Sequence, residues 1–411
     1  MKNHLFLFSF LLFSGLIYTQ NLNSNTTGSF IFTPQSPVNR PPIEVFYHIP
    51  SGNITTMPIL MSFHGANRDG ANYRDYWISM ANSNGFMVFA PEFTNVNYPG
   101  LGDNYLMGNV FVDGDNPTQL EFNDPNEWTF SVIEPLFEYI KNDISGVQET
   151  YSAWGHSGGA QFLHRFALFV PDSKLGIGVC SNSGWYSVPE SDVDYPYGTG
   201  LPFGSTNEDL FIFFQNLTTP LNVTLEQFFG KELVIHLGTN DTDPNSPALR
   251  HNDILDAQQG LNRYVRGQYF FNTSQTTSTD ISLPFNWEKH EVTGIGHNAQ
   301  LMANDALQFF LPNILSVDSV EENKFIKIYP NPIYSSYINF STNLSTPISV
   351  SIYNIMGIEI FKRIIEDHVL NVSNLDTGIY FIKIQSNTFS TTKKIIQRYS
   401  SIFYVMHIIK N

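Results

Sequence analysis

Apolar positions along the chain fall into short runs separated by polar stretches of helical spacing. Residues 43–49 alternate apolar and polar side chains as a strand does. Residues 58–63 form a compact apolar run that ends abruptly at His64-Gly65. A polar, helix-compatible stretch follows over 73–82. Residues 85–90 are a further strand candidate, closed by Pro91. Over 127–140 apolar residues recur at Trp128, Val132, Ile133, Leu136, Phe137 and Ile140, which predicts a helix, and Pro135 inside it predicts a kink. Residues 151–154 form a short strand ahead of Gly155. A helix is predicted over 162–170, strands over 177–180 and 233–237, and a helix over 301–310. Strands alternating with helices predict βαβ units, hence an α/β fold with a mostly parallel sheet covered on both faces.

Two regions break this rhythm. Residues 189–233 mix Pro, Gly and Asn with exposed-looking aromatics, including Tyr195, Tyr197, Phe203, Phe211, Phe213 and Phe214, and read as a lid-like insertion or a surface loop. Around 312–322 the texture changes again. From Ile326 onward short period-2 runs alternate with turn signals, as over 348–352 and 378–384, which predicts a small all-β domain of about 75 residues. The N-terminus pairs Lys2 with a charge-free apolar run over 5–16. That is the pattern of a secretory signal peptide, and it is too short for a comfortable membrane span. The expected organisation is a signal peptide over 1–20, an α/β domain over 21–317, a β-sandwich domain over 318–397, and an apolar tail over 398–411. No later run is long enough to span a bilayer, so the mature protein is expected to be exported and soluble.

Composition narrows the function. The 411-residue chain carries a net charge of −16. From Asp318 onward nine Lys and Arg face seven Asp and Glu, so the acidity belongs to the part before it. An acidic surface argues against nucleic acid as partner, because phosphate backbones need clustered Lys and Arg. Charged residues at 14% and aromatics at 15% argue against disorder. A single cysteine, Cys180, excludes an intramolecular disulfide framework and a cysteine-based zinc site. The acidic stretches at Asp113–Asp115 and Asp241–Asp243 do not continue into a calcium loop closed by Glu, and no phosphate-binding glycine motif lies in a strand–helix context. No cofactor and no metal is expected.

The informative motif is Gly155-His156-Ser157-Gly158-Gly159, directly after a strand and directly before a helix. A G-x-S-x-G in that context is a nucleophile turn: the serine sits on a tight corner, and the glycines two before and two after keep space that a side chain would fill. A serine hydroxyl needs a base, and the base needs an orienting carboxylate. On this architecture the chain order is Ser, acid, His. Asp241 follows the 233–237 strand, three residues after Gly238, and is the expected acid, with Asp243 in the same loop as the alternative. His297, after Gly294-Ile295-Gly296, is the expected base. His290, in a strand-like stretch, competes with it. An oxyanion hole needs two backbone N–H groups. One is expected from Gly158 and the other from Ala66, with Gly65 or Asn67 as alternatives. His64 is expected to order that loop.

At these residues the first part resembles the α/β-hydrolase superfamily, and within it secreted esterases of the polyhydroxybutyrate-depolymerase and feruloyl-esterase kind. The resemblance implies an α/β-hydrolase sandwich that cleaves carboxylic esters through an acyl-enzyme. In it Ser157 attacks, His297 shuttles the proton and Asp241 orients His297. A serine peptidase on the same fold, or a non-catalytic surface binding protein with a relic triad, are the other readings. An Asn/Thr/Ser-rich insert over 272–280 lengthens the gap between acid and base relative to a minimal member. A second resemblance rests on Tyr329-Pro330-Asn331-Pro332, Ser351-Ile352-Tyr353-Asn354 with Gly357, Leu375-Asp376-Thr377-Gly378-Ile379-Tyr380-Phe381 and Lys393-Lys394-Ile395-Ile396. These are similar to the C-terminal sorting domain of the type IX secretion system. That implies a Gram-negative bacterium of the Bacteroidota type, passage through the periplasm, the type IX machinery as partner, and a place outside the cell or on its surface.

Overall fold

A computed structural model describes residues 20–204, 209–217, 224–315, 326–342, 348–354, 357–365, 368–385 and 390–398. The expected signal peptide, save Gln20, and the tail from Tyr399 lie outside them. The chain divides into two compact units, Met1–Ser316 and Val317–Asn411.

The first unit is built on one eight-stranded sheet. Its strands are β1 (Thr26–Phe32), β2 (Ile43–Ile49), β3 (Ile59–Phe63), β4 (Met87–Glu92), β5 (Tyr151–His156), β6 (Leu175–Ser181), β7 (Glu232–Gly238) and β8 (Glu288–Val292). The order across the sheet is β1-β2-β4-β3-β5-β6-β7-β8. From β4 to β8 every neighbouring pair is parallel, while β1, β2 and β4 pair antiparallel. Burial explains the patterns. All five residues of β3 are buried, so it reads as a continuous apolar run. The edge strand β1 is buried at only two of seven positions, which is why its polar sequence gives no strand signal.

The helices are α1 (Gly70–Asp75), α2 (Ile78–Asn84), α3 (Ile133–Ile144), α4 (Gly158–Phe169), α5 (Leu210–Gln215), α6 (Leu225–Gly230), α7 (Asp253–Gln259), α8 (Arg263–Asp280) and α9 (Ala299–Leu315). Two apolar clusters fill the space between helices and sheet. One contains Phe63, Phe137, Phe162 and Ile235. The other contains Trp77, Trp154, Val234 and Phe310.

Several local expectations are corrected. The stretch over 73–82 is split between α1 and α2. Pro91 does not close β4 but lies within it, opposite Val45. There β3 no longer pairs with β4, so the missing N–H falls where the ladder is one-sided. Pro135 causes no kink, because α3 starts at Ile133 and leaves the proline in the first turn, where its absent N–H costs nothing. Residues 125–127 and 130–132 are 3₁₀ turns instead. The Asn/Thr/Ser-rich insert over 272–280 is the C-terminal half of α8. The aromatics of 189–233 are not an exposed lid. Tyr195, Phe211, Phe213 and Phe214 are buried in the main core, and Phe122, Trp128 and Phe169 pack against Phe214.

The second unit is all-β. Its strands are β9 (Ile326–Tyr329), β10 (Tyr337–Thr342), β11 (Ile348–Asn354), β12 (Glu359–Ile365), β13 (Val369–Asn371), β14 (Gly378–Gln385) and β15 (Ser390–Gln397). They form two antiparallel sheets, β13-β10-β9 and β12-β11-β14-β15. Ile338, Phe340 and Leu370 of the first sheet share one apolar core with Val350, Ile352 and Ile382 of the second, which makes the unit a sandwich.

Candidate active site

Ligands on open parallel sheets bind beyond the carboxyl ends of the strands. Here the loops after β3, β5, β7 and β8 carry the residues singled out above, and these strands lie side by side or one strand apart.

The turn between β5 and α4 is the sharpest of these. Ser157 has φ 57° and ψ −114°, a left-handed backbone that costs a non-glycine residue about 1–3 kcal/mol. Neighbouring contacts hold it there. Its N–H donates to Ser181 O at 2.9 Å, and its carbonyl accepts from Gln161 N at 3.1 Å. The flanking glycines are required by space. A Cβ on Gly155 would lie 2.3 Å from Gly159 O, and one on Gly159 would lie 2.0 Å from Phe63 O. Ser157 is half-buried among buried neighbours, at the N-terminus of α4, where first-turn N–H groups lack intrahelical acceptors.

The loop after β3 runs against this turn. A Cβ on Gly158 would sit 3.2 Å from Ala66 N and 3.3 Å from Gly65 C. Among the described residues the Ala66 N–H donates to no acceptor. His64 anchors the loop. The Phe93 N–H donates to His64 Nε2 at 3.0 Å, so Nδ1 carries the proton and lies 2.9 Å from Gly65 O. Tyr105 donates its hydroxyl to His64 O at 2.7 Å, and its ring lies 4.4 Å from the imidazole. Burial lowers the pKa of His64 from 6.5 to about 4, which keeps it neutral in this role.

Beyond β7 and β8 the fold joins an acid to a histidine. His297 Nδ1 lies 2.6 Å from Asp241 Oδ2. Asp241 is 4% exposed, and Arg263 Nη1 reaches its other oxygen at 3.5 Å. Asp243 is exposed and accepts from the Asn245 N–H, closing a local turn without reaching His297. His290 lies in β8 and faces Asp305 instead. Gly238 lets the loop that carries His297 approach closely, since a Cβ there would lie 2.5 Å from Ile295 O. The ring of His156 packs 4.5 Å from that of His297. Burial first, and the neighbouring His297 second, hold His156 well below the usual imidazole range, so it stays uncharged beside its neighbour. Among the described residues Ser157 makes no hydrogen bond to His297; the contact between their loops runs through His156.

Arg263 was missed from the sequence. It begins α8, far along the chain from any motif, and only the fold brings it to Asp241. The preceding Asn262, whose side chain accepts from the Val265 N–H as an N-cap, is the local signal that a helix starts there.

Comparison with known proteins matches these features. Residues 327–398 match the family described as the secretion system C-terminal sorting domain. The second unit belongs to that family. Its sorting domain marks the protein as one delivered outside the cell or to the cell surface. The first unit has the α/β-hydrolase fold. It is similar to poly(aspartic acid) hydrolase-1 from Sphingomonas sp. KT-1, at 29% identity and a TM-score of 0.60, covering 70% of this chain and 98% of that one. It is also similar in fold to the LpqC poly(3-hydroxybutyrate) depolymerase from Bordetella parapertussis, at 24% identity and a TM-score of 0.59, covering 73% and 94%. No curated protein matches the chain. The likeness to the poly(aspartic acid) hydrolase supports hydrolase chemistry in this chain, and the likeness to the depolymerase supports the fold. No helix among the described residues is long and apolar enough to cross a membrane.

Proposed function

We propose that the protein is an exported serine esterase that hydrolyses carboxylic esters through an acyl-enzyme, with Ser157, His297 and Asp241 as the triad. The hydrogen bond between His297 and Asp241 carries this reading, because it sets the imidazole tautomer. With the proton on Nδ1, Nε2 is free to accept the proton of Ser157 as its oxygen attacks the ester carbonyl. The developing oxyanion is met by the N–H groups of Gly158 and Ala66, with Gly65 allowing the close approach. His297 then protonates the leaving alcohol. Water takes the alcohol's place and releases the acid by the same steps in reverse. Asp241 stabilises the imidazolium, and Arg263 keeps the buried carboxylate from being left uncompensated when His297 is neutral. The mechanism needs no cofactor.

A second reading, amide hydrolysis in the manner of a peptidase, is favoured by the likeness to the poly(aspartic acid) hydrolase. The charge distribution opposes a polyanionic substrate, since the acidity of the chain lies before the sorting domain. The two are separated by comparing kcat/KM on p-nitrophenyl esters, feruloyl esters and polyhydroxybutyrate with that on peptide amides. Faster turnover of amides overturns the esterase reading. The second unit is proposed to be read by the type IX secretion machinery after passage through the periplasm.

A further inference from the structure

Apart from Ser157 and its loops, three side chains from β7, β8 and α9 converge on one spot. His236 Nε2 lies 2.9 Å and His290 Nε2 3.0 Å from the same oxygen, Oδ1 of Asp305. All three ligand atoms lie within 4.8 Å of one another. Gln308 Nε2 approaches that oxygen too, at 3.0 Å, while among the described residues Asp305 Oδ2 accepts nothing. Three donors are thus crowded on one carboxylate oxygen. A zinc ion bonded at about 2.0–2.2 Å sets its tetrahedral ligand atoms about 3.3 Å apart. The two nitrogen–oxygen separations are already close to that spacing, and drawing together the two imidazole nitrogens, which lie within 4.8 Å of each other, would convert the cluster into a coordination sphere.

The surroundings of His236 fit a ligand. Its Nδ1 lies 2.7 Å from Ser181 Oγ, which accepts from Trp154 Nε1 at 2.9 Å. Ser181 Oγ can accept the ring proton at Nδ1 and so free the Nε2 lone pair for an ion in place of the hydrogen bond to Asp305, the role that outer partners play for metal-bound histidines. His236 has no exposed side-chain surface, whereas His290 and Asp305 are each 28% exposed. The spot is closed on the protein side and open on the other, so an ion can enter and a water can complete its coordination.

We propose that His236, His290 and Asp305 bind one divalent ion of the zinc class. Two imidazole nitrogens and one carboxylate select such an ion over calcium or magnesium. The site has a structural consequence. Asp241 follows β7, and His297 lies between β8 and α9, so one ion would cross-link the three elements that carry the acid and the base. The ion takes no part in the chemistry at Ser157.

The test uses the full chain without a polyhistidine tag, stripped with a chelator and titrated with zinc chloride by calorimetry. The expected result is one ion per chain and a melting temperature that rises with zinc. His290→Gln and Asp305→Asn, both at partly exposed positions, are each expected to weaken binding at least tenfold. Cobalt(II) in place of zinc is expected to give the visible absorption of a low-coordinate site, lost in both variants. Absence of binding overturns the proposal, as does binding that both variants leave intact. If the variants lower the melting temperature while the wild type binds no zinc, the three residues form a hydrogen-bonded clamp and the proposal also falls.

Discussion

His297 Nδ1 and Asp241 Oδ2 are 2.6 Å apart, and this pair joins a loop beyond β7 to a loop beyond β8. The neighbouring Asp243 is exposed and closes its own turn. Asp241→Asn is therefore expected to lower kcat on the order of 10⁴-fold by reversing the imidazole tautomer. Asp243→Asn is expected to stay within about twofold of wild type. Steady-state kinetics on a p-nitrophenyl ester checks both, and the reverse ranking would move the acid to Asp243.

Arg263 and Asp241 form a buried pair, at 2% and 3% side-chain exposure. Removing one member of a buried pair leaves an uncompensated charge, at a cost of about 3–5 kcal/mol. Arg263→Met is expected to lower both the melting temperature and kcat. A variant with unchanged stability and activity would show that the 3.5 Å contact contributes nothing.

How much of this was legible in the chain follows from where each signal is stored. The proposed nucleophile turn is mostly local: strand, corner and helix are consecutive, and the clash that requires Gly155 is with the backbone of Gly159, whereas the one that requires Gly159 is with Phe63 on β3. The proposed acid, Asp241, follows the buried strand β7, an apolar run that ends in a glycine. His297 was marked instead by Gly294 and Gly296 ahead of a helical run, because β8 before it is polar and only partly covered. Arg263 and Asp305 have no such mark. Each lies on a helix, and its relation to Asp241 or to His236 and His290 exists only after the strands are side by side. β1 was invisible because an edge strand with little buried surface keeps a polar sequence. The aromatics of 189–233 were misjudged because Pro, Gly and Asn describe the backbone of a segment and not the burial of its side chains.

The glycines of the nucleophile turn give a test of packing. Gly159→Ala would press a methyl group onto Phe63 O, a backbone atom that cannot swing away. The variant is expected to be insoluble or to lose activity with a clear fall in melting temperature. Gly158→Ala meets Ala66 N at 3.2 Å and Leu106 Cδ2 at 3.1 Å, contacts that small shifts relieve. It is expected to fold, with kcat reduced and melting temperature nearly unchanged. Equal melting temperatures for wild type and Gly159→Ala would contradict the packing described.

His64 links the proposed oxyanion loop to acid stability. Its native pKa of about 4 lies below the 6.5 of an unperturbed imidazole. Above pH 6.5 neither state is protonated and the group contributes no pH dependence. As pH falls from 6.5 toward 4 the unfolded chain binds a proton that the native protein does not, so stability drops by up to about 3 kcal/mol and then levels off. Urea unfolding at pH 7.5 and pH 4.5 measures the drop. It is expected to shrink in His64→Gln, and an equal drop in that variant would remove His64 from the account.

The most direct test of the catalytic reading is labelling of the full chain with a fluorophosphonate, with the modified peptide located by mass spectrometry and ester turnover followed in the same sample. A single label on Ser157, loss of turnover in step with labelling, and neither label nor turnover in Ser157→Ala are the predicted results. Full ester turnover by Ser157→Ala, or a label on another serine that abolishes activity, would contradict it.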